Sequence, residues 1–326
     1  MAASARSALH DAHPPSRRDW LCLGLGSLAL GHLHAQMARE AVPVIYPDIA
    51  EPFRSVFGTI VEGIEERLPL RTEKLLVPPQ GSTAGLLAEL QRRQPRLVVA
   101  LGRAGLRVAL ALDPSVEIVG GGIISPTEAD ARAAALLSLT PDPLLLLQRL
   151  RSLLPGVRRV TVVYAGRHSA WLMRLAQDAA RQLGLELRAL EAEELKAALR
   201  HYQDFFAQAG AQDALWLPQD AATVDEATVL PLVLQESWNH NVALFSSNVA
   251  HVRRGALFSL YPNNRELGRS LGTAALALLN RMPGASRGAQ PLRDVLGALN
   301  TRTANHLGLN LSPQLQRSFE LLLPER

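Results

Sequence analysis

Short β-rich runs alternate with amphipathic helices along most of this chain, and the alternation stops once and restarts. That rhythm limits the fold more than any single motif does. Strands that return through helices pair in parallel, in a sheet covered on both faces. Ala41 to Tyr46 reads as a buried strand. Asp48-x-x-Glu51 has capping-box spacing, and Pro52 suits a first helical turn. Phe53, Val56, Phe57, Ile60, Val61, Ile64 and Leu68 then recur at helical spacing. A helix is expected over 83–94, stopped by Pro95, and a strand over 96–101, broken by Gly102. A short helix over 105–112 and a strand over 116–120, closed by Gly120-Gly121-Gly122, complete the first series.

The second series opens with a helix over 144–154, ended by Pro155-Gly156, and a strand over 159–165. A helix over 169–183 places Leu172, Leu175, Ala176 and Ala179 inward and stops at Gly184. Strands follow over 186–190, 213–218, 242–246 and 256–261, with helices over 194–209, 228–239 and 266–281. The fold class is therefore α/β, with two Rossmann-like lobes built on parallel sheets. Thr140-Pro141-Asp142-Pro143 reads as the crossover, or hinge, between them.

The N-terminus reads as an export signal. Arg17-Arg18 precedes an apolar run from Trp20 to Leu33, and Leu33-His34-Ala35 offers a small-residue cleavage site. The run is fourteen residues long, short of the roughly 20 that span a bilayer. The arginine pair with Trp20 and Leu21 behind it resembles a twin-arginine signal, Trp20 standing where Phe is usual. The mature chain is thus expected in the periplasm, cleaved near Ala35. The only cysteine, Cys22, lies inside the signal, which leaves the mature chain without disulfide or thiolate chemistry.

Composition then excludes several classes. Hydrophobic residues make up 48% and charged residues 20%, an ordinary soluble balance. The net charge of +4 is too small and too scattered for nucleic acid. No P-loop, H-E-x-x-H or G-x-S-x-G motif is present, which argues against an enzyme. His168, His201, His240, His251 and His306 show no metal-ligand spacing, so neither a metal nor another cofactor is expected.

In parallel α/β sheets, ligands bind beyond the carboxyl ends of the strands. In the first lobe that rule selects Glu51, Gly102, Arg103 and Gly122. In the second it selects Arg167, His168, Ser169, Asp220, Thr223, Ser247 and Asn248, and Tyr261 follows the late strand. Small residues let backbone approach a ligand, and hydroxyls at helix N-termini suit a carboxylate. Asp220 suits an ammonium group, and Arg103 an acidic one. Ser169, Thr223 and Asp48 read equally well as helix caps.

Late in the chain the resemblance to a family becomes specific. Ser246-Ser247-Asn248, Arg254-Gly255-Ala256-Leu257, Tyr261, Glu266-Leu267-Gly268 and the tail Asn300-x-x-Thr303-Ala304-x-x-Leu307-Gly308-Leu309 are the residues that carry it. Pro218-x-Asp220 and Leu215 add to it. From about Ala41 onward the chain resembles the ABC-transporter substrate-binding proteins of the tryptophan/tyrosine type, with the type I periplasmic-binding-protein fold. Ala165-Gly166-Arg167-His168 departs from the polar loop usual there, and the loop from Pro47 to Pro52 and the glycine run at 120–122 depart as well.

The resemblance implies a discontinuous first lobe, 36–142 plus about 250–285, a second lobe over 143–249, and a segment over 286–326 packing across both. It implies a monomer that closes on a small ligand, an amino acid being a common class, and an ABC permease as partner. A periplasmic sensor for a membrane receptor or kinase is the alternative on the same fold. An enzyme on a two-lobed scaffold is a more distant one, with turnover expected to depend on Asp220, Glu51 or His168.

Overall fold

The computed structural model describes residues 41–80 and 82–325, and from Val42 onward the chain forms one compact unit. The export signal, with Arg17, Arg18 and the cleavage site at Ala35, lies outside the described residues. The first series runs β1 (Val42–Pro47), α1 (Phe53–Arg67), β2 (Thr72–Val77), α2 (Ala84–Arg93), β3 (Leu97–Leu101), α3 (Gly102–Leu110), β4 (Glu117–Ile123), α4 (Glu128–Ala133) and β5 (Ala135–Pro141). The second runs α5 (Pro143–Leu153), β6 (Arg159–Tyr164), α6 (Gly166–Leu183), β7 (Glu186–Glu191), α7 (Leu195–Phe206), β8 (Asp213–Leu217), α8 (Val229–Asn239), β9 (Ala243–Ser246), α9 (Val249–Arg254) and β10 (Phe258–Pro262). Then come α10 (Asn264–Leu279), β11 (Gly288–Leu292), β12 (Val295–Asn300), α11 (Thr301–His306), α12 (Pro313–Arg317) and β13 (Leu321–Leu323).

Two sheets result. The first has the order β11-β5-β4-β3-β1-β2 and the second β13-β12-β10-β9-β8-β6-β7. The first five strands of each series thus follow one order, 2-1-3-4-5, with the reversal between the first and third strands. All pairs are parallel except β10 with β12. Strands β3 and β8 sit centrally and are fully buried, as the apolar runs LVVAL and ALWL require.

One expectation needs correction. The strand expected over 256–261 in the first lobe, seen as β10, joins the second sheet, parallel to β9. An aromatic ladder holds it there. Phe258 stacks on Phe245 at 5.1 Å between centroids, and Phe245 on Trp216 at 6.3 Å, so one row of rings links β8, β9 and β10. The return to the first lobe starts with α10, which packs on α1. Backbones touch there: a Cβ on Gly268 would stand 2.1 Å from the Ile60 carbonyl oxygen, and one on Gly63 2.1 Å from that of Arg265. Glu62 and Glu66 pair with Arg265, and Glu66 and Glu266 with Arg269, along the rim of this contact.

Three chain segments pass between the lobes, at Asp142, Asn263 and Arg293-Asp294. They are bonded to one another. The Asp142 N–H donates to the Leu292 carbonyl at 2.8 Å, and the Asn263 N–H to that of Asp294 at 2.9 Å. Asp142 and Asn263 also cap the helices that follow them, through Leu144 N–H and Glu266 N–H. The crossover read at Thr140 to Pro143 is therefore one of three strands of a hinge. Among the described residues no helix is long and apolar enough to cross a membrane.

Candidate functional site

The hinge brings the carboxyl ends of β5 and β10 together, so the loops that follow the strands of each sheet border the space between the lobes. The structure sorts the sequence-derived candidates into three groups.

The first group is a pair of first-lobe glycines. Gly102 opens α3 with φ +69° and Gly122 ends the β4 glycine run with φ +71°. These left-handed conformations disfavour any side chain. The two glycines touch: a Cβ on Gly122 would lie 3.2 Å from the Gly102 nitrogen and 3.3 Å from the Phe57 ring. Phe57 covers both and stacks on Tyr46 at 6.1 Å. Phe53 and Ile124 remain exposed nearby in sequence, at the start of α1 and just beyond β4. Phe53 was expected on the buried face of its helix. It falls at the first turn, before α1 reaches its partner α10, and is 58% exposed.

A second group is engaged by the protein's own groups. Arg103 pairs with Asp130 and donates to the Ser125 carbonyl at 2.7 Å. Burial raises the Asp130 pKa, but the Thr127 N–H and the Arg103 guanidinium outweigh it and leave the carboxyl below its ordinary value. Asp220 is 3% exposed and accepts from Ala165 N–H at 2.8 Å, Ser169 Oγ at 3.0 Å and Ala222 N–H at 3.1 Å. It ties the β8 loop to the start of α6. The adjacent Tyr202 hydroxyl is buried without a partner among the described residues, and burial, then the Asp220 charge, push its pKa well up.

Thr223 donates to the Val163 carbonyl at 3.1 Å, and Ser247 Oγ accepts from Trp216 Nε1 at 3.0 Å. Asn248 caps α9 through Ala250 N–H. Beneath it, buried His251 meets Ser246 Oγ at 2.8 Å; burial lowers the imidazole pKa, Glu226 opposing and Arg254 reinforcing the shift. Tyr261 is half-buried in β10, where burial and then Glu320 raise its pKa. Ser169 is not a cap, because α6 begins three residues earlier, at Gly166. The expected box between Asp48 and Glu51 does not form. Asp48 stands 3.7 Å from Arg54, and Glu51 accepts from Ser55 N–H and Oγ, one turn on.

The third group lines a cavity of about 490 Å³ between the lobes. Pro126, Thr127, Glu128 and Ala131 come from the loop and helix after β4, with Ala289 from β11. Arg167, His168, Trp171, Arg174 and Leu175 come from α6. Arg167 and His168 were expected, and the rest were missed. At about 100° per residue, Arg167, Trp171 and Arg174 fall opposite the buried Leu172, Ala176 and Ala179 face. An aromatic flanked by arginines on the outer side of a helix was the available signal. Leu175, expected inward, lies on this outer side, 36% exposed. Arg167 is held by Glu193 and donates to His168 Nε2 at 3.0 Å, so the neutral His168 ring carries its proton on Nδ1. Arg174 has no hydrogen-bond or ion-pair partner among the described residues. Nor do they include a cluster of three or more residues placed to hold a metal ion.

Two mostly parallel sheets whose first five strands share one order, hinged at three crossovers around a cavity lined from both lobes, define a two-lobed solute-binding protein. The family model described as ABC transporter substrate binding protein matches residues 117–319, and the chain belongs to that family. No curated protein matches it in sequence.

Among solved structures, it is similar to a substrate-binding protein with adhesive properties from Clostridium difficile, in its ligand-free, open form. The TM-score is 0.63 and the identity 15%, with 88% of this chain and all of that one covered. An ABC domain from Streptococcus pneumoniae in complex with L-Trp gives 0.55 and 13%, covering 87% and 100%. A conserved domain protein from Vibrio cholerae gives 0.52 and 16%, covering 86% and 99%. At these identities the likeness is one of fold.

Proposed function

We propose that this substrate-binding component is exported to the periplasm, where it binds a small ligand between its lobes and delivers it to an import permease. The observation that carries the reading is the cavity lined by α6 on one side and the β4–α4 loop on the other. Its volume of about 490 Å³ lies within the range of small-molecule sites, roughly 300–1,000 Å³. A ligand there touches both lobes and so favours the closed arrangement over the open one. Gly102 and Gly122 form the first-lobe approach under Phe57, and Arg167 and His168 are the sequence-derived residues that reach the cavity itself.

Asp220, Ser169, Thr223 and Ser247 shape the second-lobe wall from behind. Ligand closure predicts a smaller radius of gyration in solution scattering and a higher unfolding midpoint, rising with ligand concentration as ln(1+[L]/Kd). A screen of amino acids, sugars and organic acids that moves neither quantity would overturn the reading.

A further inference from the structure

The interlobe cavity has one kind of charge left to offer. Among the described residues Glu128 is the one acidic residue lining it, and Arg132 stands 3.5 Å away on the next turn of α4. Three carboxylates stand next to the start of α6, and none of them lines the cavity: Glu193 is held by Arg167, Asp220 by its three donors, and Glu191 meets the Tyr164 hydroxyl at 3.5 Å. A ligand ammonium in the cavity therefore meets none of the three. On the donor side, Arg174 is exposed and unpaired among the described residues, and His168 keeps its Nδ1–H after accepting from Arg167. Trp171 lies between them on the same face of α6, half-buried, and Pro126, Ala131 and Ala289 line the cavity with it.

We infer that the cavity takes an organic monoanion with a flat apolar body and no ammonium group, an arylalkanoate in the simplest case. The ring packs on Trp171, and the carboxylate is held by Arg174 with His168 beside it. A guanidinium and a carboxylate match as paired donors and acceptors, and an indole face suits an aromatic ring. The inference rests on the proposed binding of a ligand between the lobes and adds its chemical class.

Three compounds that share one ring and differ in charge test it: phenylpropionate, phenylalanine and phenethylamine. Each is titrated into the full chain by calorimetry, with Trp fluorescence as a second readout. Phenylpropionate is expected to bind most tightly. Arg174→Gln is expected to weaken it by about tenfold to a hundredfold, the loss of a charged hydrogen bond. Arg181→Gln, on the same helix but away from the cavity, is expected to leave it unchanged.

Tighter binding of phenylalanine or phenethylamine would overturn the assigned class. So would phenylpropionate affinity that ignores Arg174→Gln. If such a competing ligand is lost in Trp171→Ala, binding between the lobes stands and only the charge assignment fails. If none of the three binds while a sugar or another amino acid does, the class again fails alone. If nothing in the wider screen binds, both fall.

Discussion

Asp220→Ala separates a structural carboxylate from a ligand-binding one. The side chain is 3% exposed and accepts three hydrogen bonds, from Ala165 N–H, Ser169 Oγ and Ala222 N–H. Ala165 and Ser169 are buried, whereas Ala222 is half-exposed and finds water. The substitution therefore strands two dry donors. Each costs about 1–3 kcal/mol, and Ser169 recovers part by turning its hydroxyl to a helix carbonyl. The expected loss is about 3 kcal/mol, which at roughly 2–4 °C per kcal/mol for a chain of this size lowers Tm by about 6–12 °C.

Urea unfolding followed by Trp fluorescence reads this as a lower midpoint at constant slope. Asp220→Asn keeps one acceptor oxygen and turns its amide toward a donor, so it should fall between wild type and Ala. Because the Asp220 oxygens are occupied, ligand affinity of the folded fraction should not change. Wild-type stability combined with lost ligand binding would refute this reasoning and return Asp220 to the role of ammonium partner that its position suggests.

Gly268→Ala drives a Cβ to 2.1 Å from the Ile60 carbonyl oxygen. Overpacking of about 1–3 kcal/mol exceeds the roughly 1 kcal/mol gained in helix propensity, so a net loss read in the same urea assay is expected. Asp213 accepts from Arg159 Nε at 2.6 Å and Nη2 at 2.8 Å, and the Arg159 hydrogen bonds hold its pKa below the ordinary value against the effect of burial. That contribution is present above pH about 4 and is lost as pH falls through the lowered folded value. Asp213→Asn should therefore destabilise at neutral pH and flatten the acid limb of a stability–pH profile. Ser247→Ala leaves the fully buried Trp216 Nε1–H without its acceptor, a loss of about 1–3 kcal/mol visible in the unfolding midpoint.

The fold was legible because burial on both faces writes itself into composition: LVVAL at β3 and DALWL at β8 leave little choice. Edge strands carry no such mark. Strand β2, TEKLLV, is half-exposed and was not recognised. Neither were α4 and β5, where a six-residue helix offers too few turns for its period to emerge. Lobe membership of β10 depends on Trp216, Phe245 and Phe258 meeting across three strands, which no local pattern encodes.

The site was less legible for a related reason. The carboxyl-end rule finds the loops but not the direction of the side chains in them. A polar residue at a strand end either meets a ligand or satisfies a neighbour, and burial decides which. Asp220, Ser169, Thr223 and Ser247 are all buried and all paired within the second lobe. Residues on an outer helix face, such as Trp171 and Arg174, lie beyond that rule, and only the placement of α6 against the β4–α4 loop gives them a role.

That placement also bears on how binding becomes closure. A ligand shifts a two-state equilibrium only by the difference in its affinity for the two states. A molecule held by α6 alone would bind open and closed forms alike and transmit nothing. One that rests on Trp171 and Arg174 and also meets Pro126, Thr127 or Ala131 gains contacts only when the lobes approach. Moving the equilibrium from 1:99 to 99:1 requires about 5.5 kcal/mol of differential binding. A ring buried against apolar groups from both lobes supplies about 25 cal/mol for each Å² withdrawn from water. Some 100 Å² closed off by the first lobe yields about half of that requirement, which leaves the charged contact at Arg174 to strengthen on dehydration and make up the rest.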